Sequence, residues 1–168
     1  MAYGIVRTDN MYGTDVRAAL VSIKYMGDNG TTPTAIENGN VLKVGKLIDG
    51  EREIYVGGKV AKADKVTDIV LIASPEVMYD ERKKNLDEFI NEAGKACRGY
   101  RIHSGDTFSV TKEALAGKAT PAVGDVVELA DGTKLNVAAS STSGATAVGT
   151  IIAVDVVGRY TYYAIKAN

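Results

Sequence analysis

The sequence predicts a mainly β protein, and three observations lead to this prediction. Short runs of β-branched and aromatic residues alternate with polar residues, which is typical of strands that bury one face. The chain has 18 glycines and only 3 prolines, and several glycines follow Asn or Asp, as in tight hairpin turns. In the clearest stretch, residues 98–110, apolar residues take even positions on both sides of Ser104-Gly105-Asp106, namely Tyr100, Ile102, Phe108 and Val110. We therefore predict a hairpin there, around which later strands form a small antiparallel β-barrel or sandwich.

The first segment, residues 1–15, is predicted to be an extended N-terminal arm. Aromatic and apolar residues recur in it, but the glycines and short polar residues between them disfavour a helix. Such an arm cannot bury its aromatic residues by folding on itself. It either packs on its own domain or docks on a partner, and the residues leave both alternatives open.

Residues 16–92 are predicted to form an N-terminal β-rich part. A first strand lies within residues 16–25, and a β-meander follows over residues 41–56 with a turn at Asp49-Gly50. The run Ile69–Ala73 is continuously apolar. That run predicts a strand buried on both faces.

One helix is predicted near residues 75–93. Ser74-Pro75-Glu76 offers an N-cap, a proline for the first helical position and an acidic residue for the first turn. Apolar residues then recur at helical spacing as far as Ala93, and Gly94 can end the helix. The alternative for the charged run at 80–84 is a solvated linker.

Residues 93–168 are predicted to form the C-terminal antiparallel barrel or sandwich. Strands at 123–129 and 134–137 flank Asp131-Gly132, which predicts a tight hairpin. Two β-branched and aromatic strands close the chain, and Gly158 lies at the bend between them. If the chain divides near Ala93, each part has roughly 80 residues, and domains of that size bury only ~60% of their unfolded surface. We therefore expect partners or further copies to cover exposed strand edges.

Composition argues against most chemistry. The chain has 20 basic and 21 acidic residues and a net charge of −1, so it lacks the basic excess of a nucleic-acid binder. Cys97 and His103 are the sole cysteine and histidine. They allow no intrachain disulfide, no zinc spacing and no oriented nucleophile–base pair. We find no hydrolase, phosphate-loop or zinc-protease motif, no apolar signal-peptide core and no run of ~20 apolar residues that could span a bilayer. We therefore expect no enzymatic activity, no catalytic residue, no cofactor, no metal, no direct nucleic-acid contact and no membrane.

Several stretches resemble small structural proteins of tailed-bacteriophage heads. One is the arm that ends in Met11-Tyr12-Gly13-Thr14-Asp15-Val16-Arg17. A second is Phe89-Ile90-Asn91-Glu92-Ala93-Gly94, which leads into Arg98-Gly99-Tyr100-Arg101-Ile102 and Gly105-Asp106-Thr107-Phe108-Ser109-Val110. The third group is Val123-Gly124-Asp125 and Val148-Gly149-Thr150-Ile151-Ile152.

This resemblance implies a capsid decoration (cement) protein with a β-tulip-like fold. Such a protein binds the capsid exterior as a structural part of the virion, is assembled in the host cytoplasm, and stabilises the shell by bridging major capsid subunits. Its partners would be the major capsid protein and further copies of itself, with a trimer as one option. The implied capsid contacts lie in and just after the arm: Tyr3, Arg7, Met11, Tyr12 and Arg17. The alternative function is a receptor- or carbohydrate-binding module of a head fibre or tail, with exposed tyrosines in the C-terminal strands. An enzyme is the third hypothesis, and a hydrolytic activity lost on changing His103 would support it.

Overall fold

The computed structural model describes residues 2–12 and 19–168 and is mainly β, as predicted. The strands, in chain order, are β1 (Val6–Asn10), β2 (Leu20–Tyr25), β3 (Val41–Leu47), β4 (Ile54–Gly58), β5 (Ile69–Ile72), β6 (Cys97–Arg101), β7 (Thr107–Thr111), β8 (Leu115–Gly117), β9 (Val126–Glu128), β10 (Leu135–Ala138), β11 (Ala147–Val157) and β12 (Tyr160–Ala167). Short 3-10 helices occupy Val66–Asp68, Leu86–Glu88 and Lys112–Ala114.

Five strands close into a barrel in the order β2-β4-β3-β5-β6. The strand β5 shows why the barrel forms here, since all four of its residues are buried. Val70 and Ile72 pack with barrel residues such as Ile23, whereas Ile69 and Leu71 pack in a second cluster on the other face. The prediction of a strand buried on both faces is confirmed.

The remaining strands form a curled, seven-stranded sheet in the order β1-β7-β12-β11-β9-β10-β8. Its pairs are antiparallel except β8 with β10. Both predicted C-terminal strand pairs form, since Val137 pairs with Val127 and Val157 pairs with Tyr160. The first pair is not joined by the predicted tight turn, because residues 129–134 connect its strands and Gly132 bridges to Val60. The inner face of this sheet packs against the outside of the barrel, and Phe108, which is fully buried, lies in that shared core.

The predicted hairpin over residues 98–110 does not form, although both of its strands do. β6 pairs with β2 and β5 in the barrel, while β7 pairs with β1 and β12 in the sheet. The turn between them is real, because Gly105 has a φ of +89° and its N–H donates to the carbonyl of Ala167. That turn carries the chain from the barrel into the sheet. The alternation of apolar and polar residues predicts both strands correctly, but it does not predict which strands they pair with.

The predicted helix near 75–93 is also absent, and only the 3-10 helix Leu86–Glu88 lies in that range. The hydroxyl of Ser74 accepts a hydrogen bond from the main-chain N–H of Arg98, so it does not cap a helix. Two apolar residues of the expected buried stripe, Tyr79 and Leu86, are exposed instead. Without a core to face, the helical spacing has nothing to stabilise it.

The domain boundaries differ from the prediction as well. Of the two alternatives for the arm, the described part packs on its own domain, because β1 pairs with β7 and buries Ile5 and Val6. β6 belongs to the barrel, so the closed barrel spans residues 20–101 and lies in the N-terminal rather than the C-terminal part. The sheet combines β1 with strands from residues 107–167, so it is built from both ends of the chain.

Candidate contact surface

His103 and Cys97, the residues on which catalysis would depend, are held in structural contacts. The ring of His103 lies 4.5 Å from that of Tyr12, centroid to centroid. Asp106 beside it accepts the main-chain N–H groups of Tyr12 and His103, which fixes the turn after β6. Burial raises the pKa of the Cys97 thiol to about 12, and its Sγ donates to the carbonyl of Ile23. A thiol of that pKa stays protonated at neutral pH and is a poor nucleophile.

Among residues 2–12 and 19–168, no group of three or more His, Cys, Asp or Glu side chains could hold a metal ion. Nor does any helix in that part of the chain have the length and apolar character needed to cross a membrane.

The residues predicted to contact a capsid differ in their exposure. Tyr3 is half-buried, and Arg7 lies over the ring of Tyr162, with its guanidinium carbon 5.0 Å from the centroid. Met11 is only 1% exposed and belongs to the shared core, which leaves it no surface for a partner. Tyr12 is half-exposed against His103. Arg17 lies outside the described residues.

The longest irregular stretch that the structure describes is residues 73–96, which we call the 73–96 loop. Its base is held by Asn38, a fully buried side chain. The amide of Asn38 donates to the carbonyl of Ser74 at 2.8 Å and to a carboxylate oxygen of Glu76 at 3.1 Å. Its oxygen accepts the N–H of Ser74 and the side-chain amide of Asn91, both at 3.0 Å. Both ends of the loop are therefore joined to one buried asparagine.

A second anchor holds the far part of the 73–96 loop. The carboxylate of Asp87 accepts hydrogen bonds from the guanidinium of Arg159 at 2.5 Å and the hydroxyl of Tyr160 at 3.1 Å. Its carbonyl accepts the N–H of Tyr3 at 3.0 Å. Hydrogen bonds from the main-chain N–H groups of Asn85 and Lys84 hold the pKa of Glu88 below its usual value. The turn Leu86–Glu88 is thus attached both to β12 and to the N-terminal segment.

Between the two anchors the loop exposes apolar side chains. Tyr79 is 92% exposed and Val77 is 57% exposed. A cavity of about 290 Å³ opens beside them, lined by apolar residues such as Met78 and Phe89 and by charged ones such as Lys95. Loops longer than about 12–15 residues are usually functional or disordered. Because this loop is fixed at two points, we interpret it as functional. This is the candidate contact surface.

Sequence reasoning missed the residues that build this surface. The dipeptide Asn38-Gly39 predicts only a tight turn, and Asn91 and Asp87 fall within the predicted helix. No pattern in the sequence marks an asparagine as the partner of a segment 36 positions away. Two prolines near the loop's start or a glycine-rich stretch would have signalled a long loop, but the segment has one proline, Pro75, and one glycine, Gly94.

Comparison of the chain with protein-family models, with curated protein sequences and with solved structures gave no match. The function must therefore be argued from the geometry of the chain itself.

Proposed function

We propose that the protein is a structural virion protein that decorates the outside of a tailed-phage capsid and binds major capsid subunits through the 73–96 loop. The observation that carries this proposal is a long loop fixed at two points that nevertheless exposes Tyr79 and Val77. Ordering a loop on binding costs free energy, and a loop ordered beforehand avoids that cost. Exposed aromatic residues on a fixed backbone are typical anchors of protein–protein interfaces.

The mode of attachment changes from the one that the resemblance implies. The arm that the resemblance implies is free to reach a capsid sheet, whereas β1 is paired with β7 along one side and is held on its own sheet as the edge strand. Arg7 and Tyr12 keep exposed surface and can contribute at the margin. The main contact is therefore assigned to the 73–96 loop.

The carbohydrate-binding alternative is less well supported. That hypothesis depends on exposed tyrosines in the C-terminal strands, because sugars stack on exposed aromatic faces. Tyr162 and Tyr163 are buried, and the ring of Tyr162 is covered by Arg7. Tyr79 is exposed, but it lies on the 73–96 loop and not in the C-terminal strands on which that hypothesis depends.

The test is co-sedimentation with expanded, DNA-free heads of the phage whose genome encodes the chain. We expect saturable binding in a fixed ratio to the major capsid protein. Replacing Tyr79 with Ser should weaken binding at least ~30-fold, the effect of losing an anchor worth ~2 kcal/mol or more. The matched control is Val123→Ser, since Val123 is 63% exposed on the β8–β9 connection, outside the 73–96 loop. Absence of wild-type binding at micromolar concentration would refute the proposal, and binding to immobilised glycans would then support the alternative.

A further inference from the structure

The outer half of β11 is a strand edge without a partner among the described residues. β9 pairs with β11 only from Ala147 to Thr150. At Ile151 the main-chain groups are bonded to the segment before β9. The N–H of Gly124 donates to the carbonyl of Ile151, and the N–H of Ile151 donates to the carbonyl of Asp125. From residue 152 to residue 157 the side of β11 that faces away from β12 is open. Native proteins rarely leave such an edge unprotected.

The hairpin register shows which main-chain groups face this open side. Val157 and Tyr160 close a two-residue loop in which Gly158 has a φ of +61° and no non-glycine residue has a positive φ. This is the pattern of a type II′ turn, in which the closing pair exchanges its hydrogen bonds. Hydrogen-bonded pairs alternate along the ladder, so the N–H and carbonyl groups of Val154 and Val156 point outward.

The side chains of this edge are apolar and exposed. Val156 is 74% exposed, and Ile152, Val154 and Val157 are each at least 40% exposed. Asp155 is the one charged residue of the segment 152–157. Most edges carry lysine, proline or several charges as protection against pairing, and this one does not.

We propose that this edge pairs antiparallel with the same edge of a second copy, about a twofold axis at Val156. In three registers of this pairing, centred at Val154, Asp155 or Val156, the outward-facing N–H and carbonyl groups of the two copies form hydrogen bonds with each other. A centre at Val154 would drive the partner's turn into the space that Gly124 and Asp125 fill, and a centre at Asp155 would place two like charges directly opposite each other.

A centre at Val156 avoids both conflicts. It sets Val156 against its own copy, Val154 against Gly158, and Asp155 against Val157. The edge therefore complements itself, as a twofold contact between identical surfaces requires. The segment 152–157 carries only one charged residue, Asp155, so the edge has no charge pattern that would select a partner of opposite charge.

The contact joins only about five residues of each chain. The surface that so few residues bury is far below the ~1,000 Å² that a stable interface needs. We therefore expect weak association in solution, with a dissociation constant on the order of 100 μM or above, which becomes effective where copies are held close together. The inference does not depend on the proposed function, because it concerns the free protein in solution.

Disulfide trapping tests the register, because the one native cysteine, Cys97, is buried. Val156→Cys places two thiols at a hydrogen-bonded antiparallel pair, where Cα atoms are ~5.5 Å apart, within the span of a disulfide. Under mild oxidation it should form a covalent dimer at least ~10-fold faster than Val154→Cys, whose counterpart lies several residues away. Asp49→Cys, whose side chain is 95% exposed in the turn between β3 and β4 of the barrel, gives the rate of random collision.

Equal rates for the three variants would overturn the proposal, and so would faster trapping at Val154 than at Val156. A second measurement uses sedimentation equilibrium at high concentration. Val156→Lys should remain monomeric while Leu47→Lys, changed at an exposed position of β3 in the barrel, self-associates like the wild type; identical behaviour of these two variants would also contradict the twofold contact. Failure here would leave binding of the 73–96 loop to heads unaffected, so the two proposals can fail separately.

Discussion

Replacing the buried Asn38 should cost the protein several hydrogen bonds at once. Asn38→Ala removes four hydrogen bonds, two donated by its amide to Ser74 and Glu76 and two accepted from Ser74 and Asn91. Each bond contributes about 1 kcal/mol net, and a donor left without a partner costs about 1–3 kcal/mol. Allowing for partial relaxation, the free energy of unfolding should fall by about 3 kcal/mol, with the range of plausible outcomes about 2–5 kcal/mol.

The matched control is Asn40→Ala, two residues along. Asn40 is also buried, but its Oδ1 accepts no hydrogen bond from the described residues. Removing a carbonyl that is buried without a partner relieves a penalty, so the loss should be about 1 kcal/mol or less. Urea unfolding followed by circular dichroism measures both differences.

A second measurement separates a general loss of stability from release of the loop. Trypsin should cut Asn38→Ala faster than Asn40→Ala within Arg82–Lys84, because the base of the 73–96 loop is no longer fixed. Equal loss of stability in the two variants, or unchanged cleavage in the loop, would refute the assignment of Asn38 as its anchor.

Three other residues give predictions of different kinds. Met11→Ala should lower the free energy of unfolding by about 2–4 kcal/mol in urea titrations, as for other buried large-to-small changes; a loss under 1 kcal/mol would mean that the Met11 side chain is not part of the core. Cys97 should resist a thiol-reactive dye in the native protein and react once unfolded, since burial raises its pKa to about 12, and rapid native labelling would contradict its position. Burial alone would raise the pKa of Glu128, but hydrogen bonds from Thr142 and Asn136 outweigh it and hold the pKa below its usual value. Glu128 therefore stabilises the protein above its unfolded pKa of ~4.3, and that contribution is lost as the pH falls through the lower folded pKa; Glu128→Gln should flatten this acid dependence in urea titrations at several pH values, and an unchanged slope would disprove it.

What the sequence could predict depended on how local each feature is. The hairpin of β11 and β12 was predictable because its partners are neighbours in the chain and Gly158 marks the turn between them. β5 was predictable because a run of four apolar residues has few other solutions. The partners of β6 and β7 were not predictable, since strand alternation says which face is buried and nothing about which strand lies alongside.

The contact surface was less accessible still. Helical spacing from Tyr79 to Ala93 has meaning only if a core lies on that side, and the position of the core is a property of the whole fold. The anchors Asn38 and Asp87 are polar residues whose partners are 36 and 72 positions away in the sequence. The sequence shows which side chains can form hydrogen bonds, but only the tertiary structure determines which residues become their partners.

The way in which the sheet draws on both ends of the chain sets an order for folding during synthesis. Ile5 pairs with Thr111, which is 106 positions away. A ribosome adding ~5–20 residues per second needs about 5–20 s to cover that distance. All five barrel strands lie within residues 20–101 and are made in the interval, so the barrel can close while β1 has no partner. Hydrogen exchange on nascent chains stalled after residue 101 has been made would detect this intermediate. Its barrel amides would be protected from exchange, and the amides of β1 would not. The first strand to be made is thus among the last to be paired, and the nascent chain must shield Ile5, Val6 and Met11 from other chains until the sheet arrives.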